Sequence, residues 1–530
     1  MNGPDLTQTI PGVLAKAARA YPEMLAVVDG AVRNTYAELD ALVDRAAAGF
    51  VAAGLKPGER VGLWAPNSRD WIVAAIGVQA AGGVLVPINT RFKREEAAYI
   101  LRRSHAKMAV VVDRFLGIGF PEMLEGADTP ELKRIVRLDS AETVPGEWRA
   151  FLDAAGPEHL AEAKARRAAV APSDISDVMF TSGTTGDPKG VVTNHGQNVA
   201  VYHAWGTAAG LTPGDRYAIV WPFFHCSGYK SGWLACLVFA ATIYPVQTLD
   251  ARQLLDLVAR EKITVLPGPP TLFQTLLESP ASTGGLKTLR VSVTGAASVP
   301  PVLIARMRQD LGIATVLTAY GLTETCGTVT LSDASDDPET VATTAGRAMD
   351  GVEIRIVGND GQDQPTGEPG EVWVRGFNVM AGFDDAPEET AKVLDAEGWL
   401  RTGDVGVLDA RGYLKITDRL KEVYITGGFN CYPAEIEKIM ARNLDYAQVA
   451  VVGVPDPRMG EVGKAFVIPR AGAEITPDGV IAWCRAEMAN FKVPRYVEMV
   501  SALPTTPTGK VQKFRLDRTA RSQGLQAATV

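Results

Sequence analysis

The segment Phe180-Thr181-Ser182-Gly183-Thr184-Thr185-Gly186-Asp187-Pro188-Lys189-Gly190 gathers three glycines, four hydroxyls and one ammonium into eleven residues. Glycines let the backbone turn tightly enough for successive N–H groups to converge on an anion, and the hydroxyls and the ammonium add donors without blocking access. The chemistry this suits is the cradling of a phosphate chain, and the ligand read from it is a nucleoside triphosphate. A Walker A loop would need Gly directly before the lysine and Ser or Thr directly after it, whereas Pro188 and Gly190 stand there. No GxGxxG opens a helix after the preceding strand, so a dinucleotide fingerprint fails as well. On its own, a Gly/Thr/Ser-rich stretch is more often a solvated turn. Its length and the apolar, strand-like Val178-Met179-Phe180 leading into it favour a site.

A phosphate loop has to be held at the end of a strand, and the surrounding sequence supplies such strands. From Arg60 to about Tyr320, apolar strand-like runs alternate with helical patterns: Val61 to Trp64, Ile72 to Ala81, Val84 to Ile88, Glu95 to Arg103 and Met108 to Val112. The pattern resumes with Ile263 to Leu266, Leu289 to Val293, a helix over Val302 to Leu311, and Ala314 to Leu317. This is an α/β arrangement, and such sheets bind ligands beyond the carboxyl ends of their strands. Between Gly351 and Asp418 the signal changes to short alternating strands and a turn at Asp409-Ala410-Arg411-Gly412, a small β module. A fresh mixed pattern follows, with Pro433 at a helix start, strands over Val449 to Val454 and Lys464 to Ile468, and a helix over Pro477 to Met488. The predicted fold is therefore a large N-terminal domain, residues 1–418, of two α/β subdomains plus the β module, and a smaller mobile α+β C-terminal domain, residues 419–530.

Composition agrees with that size. A chain of 530 residues exceeds what one core serves, and 46% hydrophobic with 22% charged residues excludes disorder and a multispanning membrane protein. A net charge of −8 with dispersed Lys and Arg lacks the footprint of a nucleic-acid binder. Five scattered cysteines without CxxC or Cys/His spacing suggest reduced, cytoplasmic thiols rather than zinc or a disulfide framework. The N-terminus, with Asp5 and Pro11, does not resemble an export signal, and the apolar run Trp233 to Tyr244 is too short to span a bilayer.

Further motifs follow in order: Tyr320-Gly321-Leu322-Thr323-Glu324, Gly398-Trp399-Leu400-Arg401-Thr402-Gly403-Asp404, Asp418-Arg419-Leu420-Lys421, Gly427-Gly428-Phe429-Asn430 and Pro507-Thr508-Gly509-Lys510. With the phosphate loop they give the chain a resemblance, over essentially its whole length, to the adenylate-forming superfamily of acyl-CoA synthetases, luciferases and peptide-synthetase adenylation domains. The resemblance implies two half-reactions: a carboxylate attacks the α-phosphate of ATP and releases pyrophosphate, then a thiol displaces AMP from the acyl-adenylate.

Carried onto this sequence, it implies a role for each motif. Thr181, Ser182, Gly183, Thr184, Thr185, Gly186 and Lys189 would surround the β- and γ-phosphates, since pyrophosphate leaves only when its charge is neutralised. Glu324, with Thr184, would hold Mg2+, a hard cation suited to oxygen ligands shared with phosphates. Tyr320, Gly321 and Thr323 would line the nucleotide, with Gly295-Ala296-Ala297 as the adenine-side wall. Asp404 would clamp the ribose hydroxyls through charge-assisted bonds of roughly 1.5 to 3 kcal/mol each, its alternative being a turn residue before Val405, and Arg419 would be a second contact. Lys510 would pair with the substrate carboxylate and α-phosphate, and its loss would raise the adenylation barrier by about 3 to 4 kcal/mol. Asp418 would be the hinge about which the C-terminal domain turns, presenting Gly427 and Gly428 to the thiol.

On the acyl side, Trp221-Pro222-Phe223-Phe224-His225 resembles the segment of acyl-CoA synthetases whose histidine gates the acyl pocket. His225 reads either as that gate or as a satisfied core histidine. Trp221, Phe224, Tyr229, Lys230 and Trp233, with Cys326 and Gly327 opposite, read as pocket lining or as core. Glu422 and Cys431 stand where Asp and a branched aliphatic are common in the family, and Thr505 replaces a usual basic residue. The expected function is an ATP-dependent acid:CoA ligase with ATP, Mg2+ and coenzyme A, acting on a medium-length or bulky cyclic acid such as a steroid-ring propionate, as in similar actinobacterial ligases. The alternatives are an adenylate former that loads a carrier protein and a medium- or long-chain fatty-acid ligase. Partners would be small molecules, without nucleic acid or integral membrane association, and a homodimer is allowed.

Overall fold

The computed structural model describes residues 4–139, 146–181, 188–279, 286–295, 301–419, 422–426, 429–488, 490–506, 510–516 and 518. The chain divides into two compact units. One comprises residues 1–295, 299–353 and 374–400, and the other residues 296–298, 354–373 and 401–530.

A seven-stranded sheet organises the first unit. Its order is Gly382–Phe383, Lys189–Asn194, Ile175–Thr181, Val84–Pro87, Arg60–Trp64, Met108–Val112 and Arg134–Leu138. The last five are mutually parallel, and Lys189–Asn194 runs antiparallel to Ile175–Thr181. Val84–Pro87 and Met108–Val112 are buried at every residue, the continuous apolar reading expected of parallel strands covered on both faces. The helices packed on this sheet start where the sequence supplies caps. Ser68 accepts from Trp71 N at 3.1 Å to open Arg69–Ala80, and Asn194 and Gln197 exchange backbone-to-side-chain bonds to open His195–Ala208.

A second mixed sheet places Val291–Gly295 parallel to Thr315–Tyr320, so that Gly295 lies opposite Ala319 at the strands' carboxyl ends. Isolated bridges through Val265 join it to the strand Arg216–Ile219, and Leu254, Phe273, Leu303, Ile304 and Val316 fill the core beneath.

A four-stranded sheet runs Val352–Val357, Gly370–Gly376, Leu400–Leu408 and Leu414–Arg419, its last two strands antiparallel with the predicted turn between them. A five-stranded sheet, its core built by Tyr424, Ile436, Val451, Ala465, Val480 and Val497, carries the helices Pro433–Met440 and Pro477–Glu487. Asp418 lies on Leu414–Arg419 inside the second unit. All five cysteines are buried thiols. Among the described residues no helix is long and apolar enough to cross a membrane.

Candidate active site

The candidate phosphate loop connects two antiparallel strands. Thr181 ends the leading strand opposite Lys189, which begins the trailing one. Ser182, Gly183, Thr184, Thr185, Gly186 and Asp187 between them lie outside the described residues, but the trailing stem is fixed. Tyr99 donates its hydroxyl to Pro188 O at 3.1 Å, and Asp384 N donates to Gly190 O at 2.7 Å. Asp384 in turn pairs with Arg60 at 2.7 Å. The Lys189 ammonium is bound to Glu389, on the helix Pro387–Val393, and stands 5.3 Å from the Phe383 ring centroid. Hydrogen bonds from Lys189 and Lys392 hold the Glu389 carboxyl down to about 2.

Backbone bonds tie Glu324 to the strand that trails this loop. Its carbonyl accepts from Met380 N at 2.8 Å, the next residue, Ala381, donates to Val192 O at 3.0 Å, and Gln197 Nε2 donates to Val379 O at 2.6 Å. The short segment 379–381 thus ties Glu324 to the strand that trails the loop. Gly321 is required by close approach: a Cβ there would meet Gly327 O at 2.3 Å. Thr325 Oγ1 accepts from Leu322 N at 2.9 Å, and Gly327 N returns to Leu322 O at 2.8 Å, closing the turn that presents Thr323 and Glu324. Tyr320 and Gly295 stand at the carboxyl ends of neighbouring parallel strands, and Ala296 and Ala297 lie outside the described residues.

His225 joins the same unit from the acyl-side segment. Its ring accepts from Ser227 N at Nδ1, 3.2 Å, and so carries its proton on Nε2 when neutral. Burial pulls its pKa down to about 4, which leaves the neutral donor at working pH. Asn67, unremarked in the sequence, clasps this segment: it donates to Trp221 O at 2.9 Å and to Val246 O at 3.0 Å, and accepts from Phe223 N at 2.7 Å. Cys226 Sγ lies 3.6 Å from Met179 Sδ on the leading strand, and a Cβ at Gly327 would meet Cys226 Cβ at 2.9 Å. The acyl-side segment, the loop's strand and the Glu324 turn therefore pack on one another.

Tyr229, Lys230 and Trp233 are core rather than pocket lining. Tyr229 and Trp233 are fully buried and stacked at 4.6 Å, in a π-helical turn Tyr229–Leu234 kinked at Gly232. Lys230 and Asp177 are both 0% exposed and ion-paired at 3.1 Å, and Lys230 also donates to Thr193 Oγ1 at 3.0 Å. Asp177 further accepts from Ser176 Oγ at 2.7 Å, Thr193 Oγ1 at 2.9 Å and Asn198 Nδ2 at 2.8 Å. Desolvation alone would lower the Lys230 pKa, but the Asp177 charge more than offsets it and the net shift is upward. Asp177 and Thr193 face each other across the two strands that bound the loop, so this network fixes their register.

The remaining candidates belong to the other unit. Asp404 is buried, donates its backbone N–H to Thr402 Oγ1 at 3.1 Å, and lies opposite Arg419 in the strand ladder. Asp418 Oδ2 accepts from Ala434 N at 2.8 Å. Lys510 is exposed on a hairpin closed by Thr506 N to Lys510 O at 2.7 Å and Lys510 N to Thr506 Oγ1 at 3.0 Å. Gly427 and Gly428 lie outside the described residues. Among the described residues no group of three His, Cys, Asp or Glu side chains is placed to hold a metal.

The AMP-binding enzyme family profile matches residues 14–383, and the AMP-binding enzyme C-terminal domain profile matches residues 435–510. The chain belongs to this family, the adenylate-forming acyl-CoA ligases, and is an acid:CoA ligase that works through an acyl-adenylate. Among its relatives, the 3-[(3aS,4S,7aS)-7a-methyl-1,5-dioxo-octahydro-1H-inden-4-yl]propanoyl:CoA ligase of Rhodococcus jostii is 48% identical over 512 residues, covering 95% of this chain and 97% of the relative. The ligase of the same name from Mycobacterium tuberculosis is 46% identical, covering 96% and 98%. The crystal structure of ATP-bound MatB from Rhodopseudomonas palustris superposes with a TM-score of 0.84 at 29% identity, covering 96% of this chain and 98% of that one.

Proposed function

We propose that the acid this ligase activates is a bicyclic propanoate of the hydrindane type, a steroid-ring fragment, and that the thiol acceptor is coenzyme A. The carrying observation is the 48% and 46% identity, over nearly the full length, to two ligases named for that acid. In this reading the loop residues Thr181 to Gly186 and Lys189 bind the β- and γ-phosphates, and Asp404 and Arg419 hold the ribose. Gly295 to Ala297, Tyr320, Gly321 and Thr323 line the nucleotide. Glu324, with Thr184, holds Mg2+, which when bound neutralises charge on the departing pyrophosphate. Neutral His225 offers a donor on the acid side. Lys510 pairs with the carboxylate and α-phosphate during adenylation, and Gly427 and Gly428 border the path of the CoA thiol. The buried cysteine thiols fit a reducing, cytoplasmic setting.

Pyrophosphate release with ATP and Mg2+ across the hydrindane propanoate, linear acids and aromatic acids, each with and without CoA, tests this. The expected result is the highest kcat/KM on the bicyclic propanoate and an acyl-CoA product. A preference for linear medium-chain acids by tenfold or more, or acid-dependent pyrophosphate without thioester, would overturn it.

A further inference from the structure

Two lysines three residues apart on the C-terminal hairpin have opposite surroundings. Lys510 is exposed. Lys513, at the start of the single turn Lys513–Arg515, has a side chain only 10% exposed, and its ammonium lies 3.0 Å from Glu422 Oε2 and 2.8 Å from Glu437 Oε1. An ammonium sunk this far is costly unless carboxylates face it. Desolvation pulls its pKa down, and Glu437 and Glu422, with Asp418 beyond them, more than reverse the shift.

The three carboxylates belong to the elements on which a hinge would depend. Asp418 and Glu422 flank the stretch between the two sheets of this unit. Asp418 accepts from Ala434 N, in the first turn of the helix Pro433–Met440. Glu437 lies one turn further along that helix and also accepts from Val451 N at 2.6 Å, which pins its carboxylate to the five-stranded sheet. The hairpin enters this cluster as a braced unit, with Thr505 bridged to Val511 and Gln512 N donating to Pro504 O at 2.7 Å. Val511 and Leu516 on either side of Lys513 pack on Val454, Val462 and Phe466. Glu422 is one methylene longer than the aspartate common at its position in the family, and its carboxylate meets the Lys513 ammonium at 3.0 Å.

We propose that Lys513 is a positioning residue for Lys510, tethering the hairpin to the hinge segment through Glu422 and to the helix that holds Asp418 through Glu437. The proposal rests on the reading of Lys510 as the adenylation lysine. A tether of this kind matters for the half-reaction that uses Lys510 and not for the one that does not, and that separates it from a general contribution to folding.

The test measures the two half-reactions separately on the full chain: acid-dependent pyrophosphate release, and acyl-CoA formation from supplied acyl-adenylate. Lys513→Met is expected to lower adenylation kcat by about 10- to 100-fold, the cost of misplacing a catalytic group by an ångström or so. Thioester formation is expected to stay within about twofold, and Lys513→Arg to recover most of the loss. Equal loss of both half-reactions in Lys513→Met, or no loss in either, overturns the proposal. Where Lys513→Met does not fold, Glu422→Asp takes its place, since it shortens one arm of the tether at a partly exposed site. Its adenylation defect should be relieved by adding Lys513→Arg, whose longer fork restores the reach, and a double variant no better than Glu422→Asp overturns the tether. A Lys510→Ala protein that still adenylates removes the underlying role of Lys510, a failure distinguishable from that of the tether because every Lys513 variant retains Lys510.

Discussion

Lys189 meets Glu389 where phosphate oxygens are expected to lie, so nucleotide has to exchange one anion for another. Because the Glu389 carboxyl is held down to about 2 from 4.5, it is fully ionised above about pH 5, and the pair weakens only as the pH falls through the window between those two values. Glu389→Gln keeps the shape and removes the charge. Its apparent KM for ATP is expected to fall about two- to fivefold with kcat nearly unchanged, the modest size reflecting a solvent-screened pair; initial rates across ATP concentrations decide, and an unchanged or raised KM would show that Glu389 orients Lys189 instead. His225 makes the opposite kind of statement about pH. With its pKa depressed to about 4 from 6.5, protonation favours the unfolded chain in that window, and between pH 6 and 8 the ring does not titrate. The pH–rate profiles of the wild type and His225→Gln should therefore run parallel from pH 6 to 8, differing in height only. An acid limb near 6.5 present in one and lost in the other would refute this.

The strands bounding the phosphate loop owe their register to a buried charge pair as well as to backbone bonds. Removing either partner strands the other: Asp177→Leu or Lys230→Met alone should cost about 3 to 5 kcal/mol, while the double replacement should recover most of that, as urea unfolding of the three proteins would reveal. Full additivity of the single losses would mean that the two charges do not depend on each other. This pair also marks where sequence reading ran out. The loop, the Tyr320 to Glu324 motif and the alternation of strands and helices were legible because each is written in consecutive residues with a period or a turn chemistry. Lys230 beside aromatic residues reads equally as pocket lining or as core, and only Asp177, 53 positions earlier on another element, settles it. Glu389 and Asn67 were silent for the same reason, since a polar residue that finds its partner across the fold leaves no local spacing to detect.

On the scale of the molecule, the five-stranded sheet and its helices enclose cores drawn entirely from residues 424–516. A fragment of residues 419–530 is therefore expected to fold without the rest of the chain and to unfold in one sigmoidal urea transition, with no ligase activity. A sloping, non-cooperative loss of far-ultraviolet signal would mean that this sheet needs the β module of residues 354–373 and 401–418 to hold together. The burial of all five cysteines has a practical corollary. A thiol-directed fluorophore finds little to attack on the folded wild-type protein, so one cysteine introduced by Leu444→Cys, at a side chain 81% exposed, becomes a near-unique attachment point. A dye placed there, read in stopped flow as ATP, acid and CoA are added in turn, would report any change around the Lys510-bearing unit that each addition brings, without a cysteine-free background first being built.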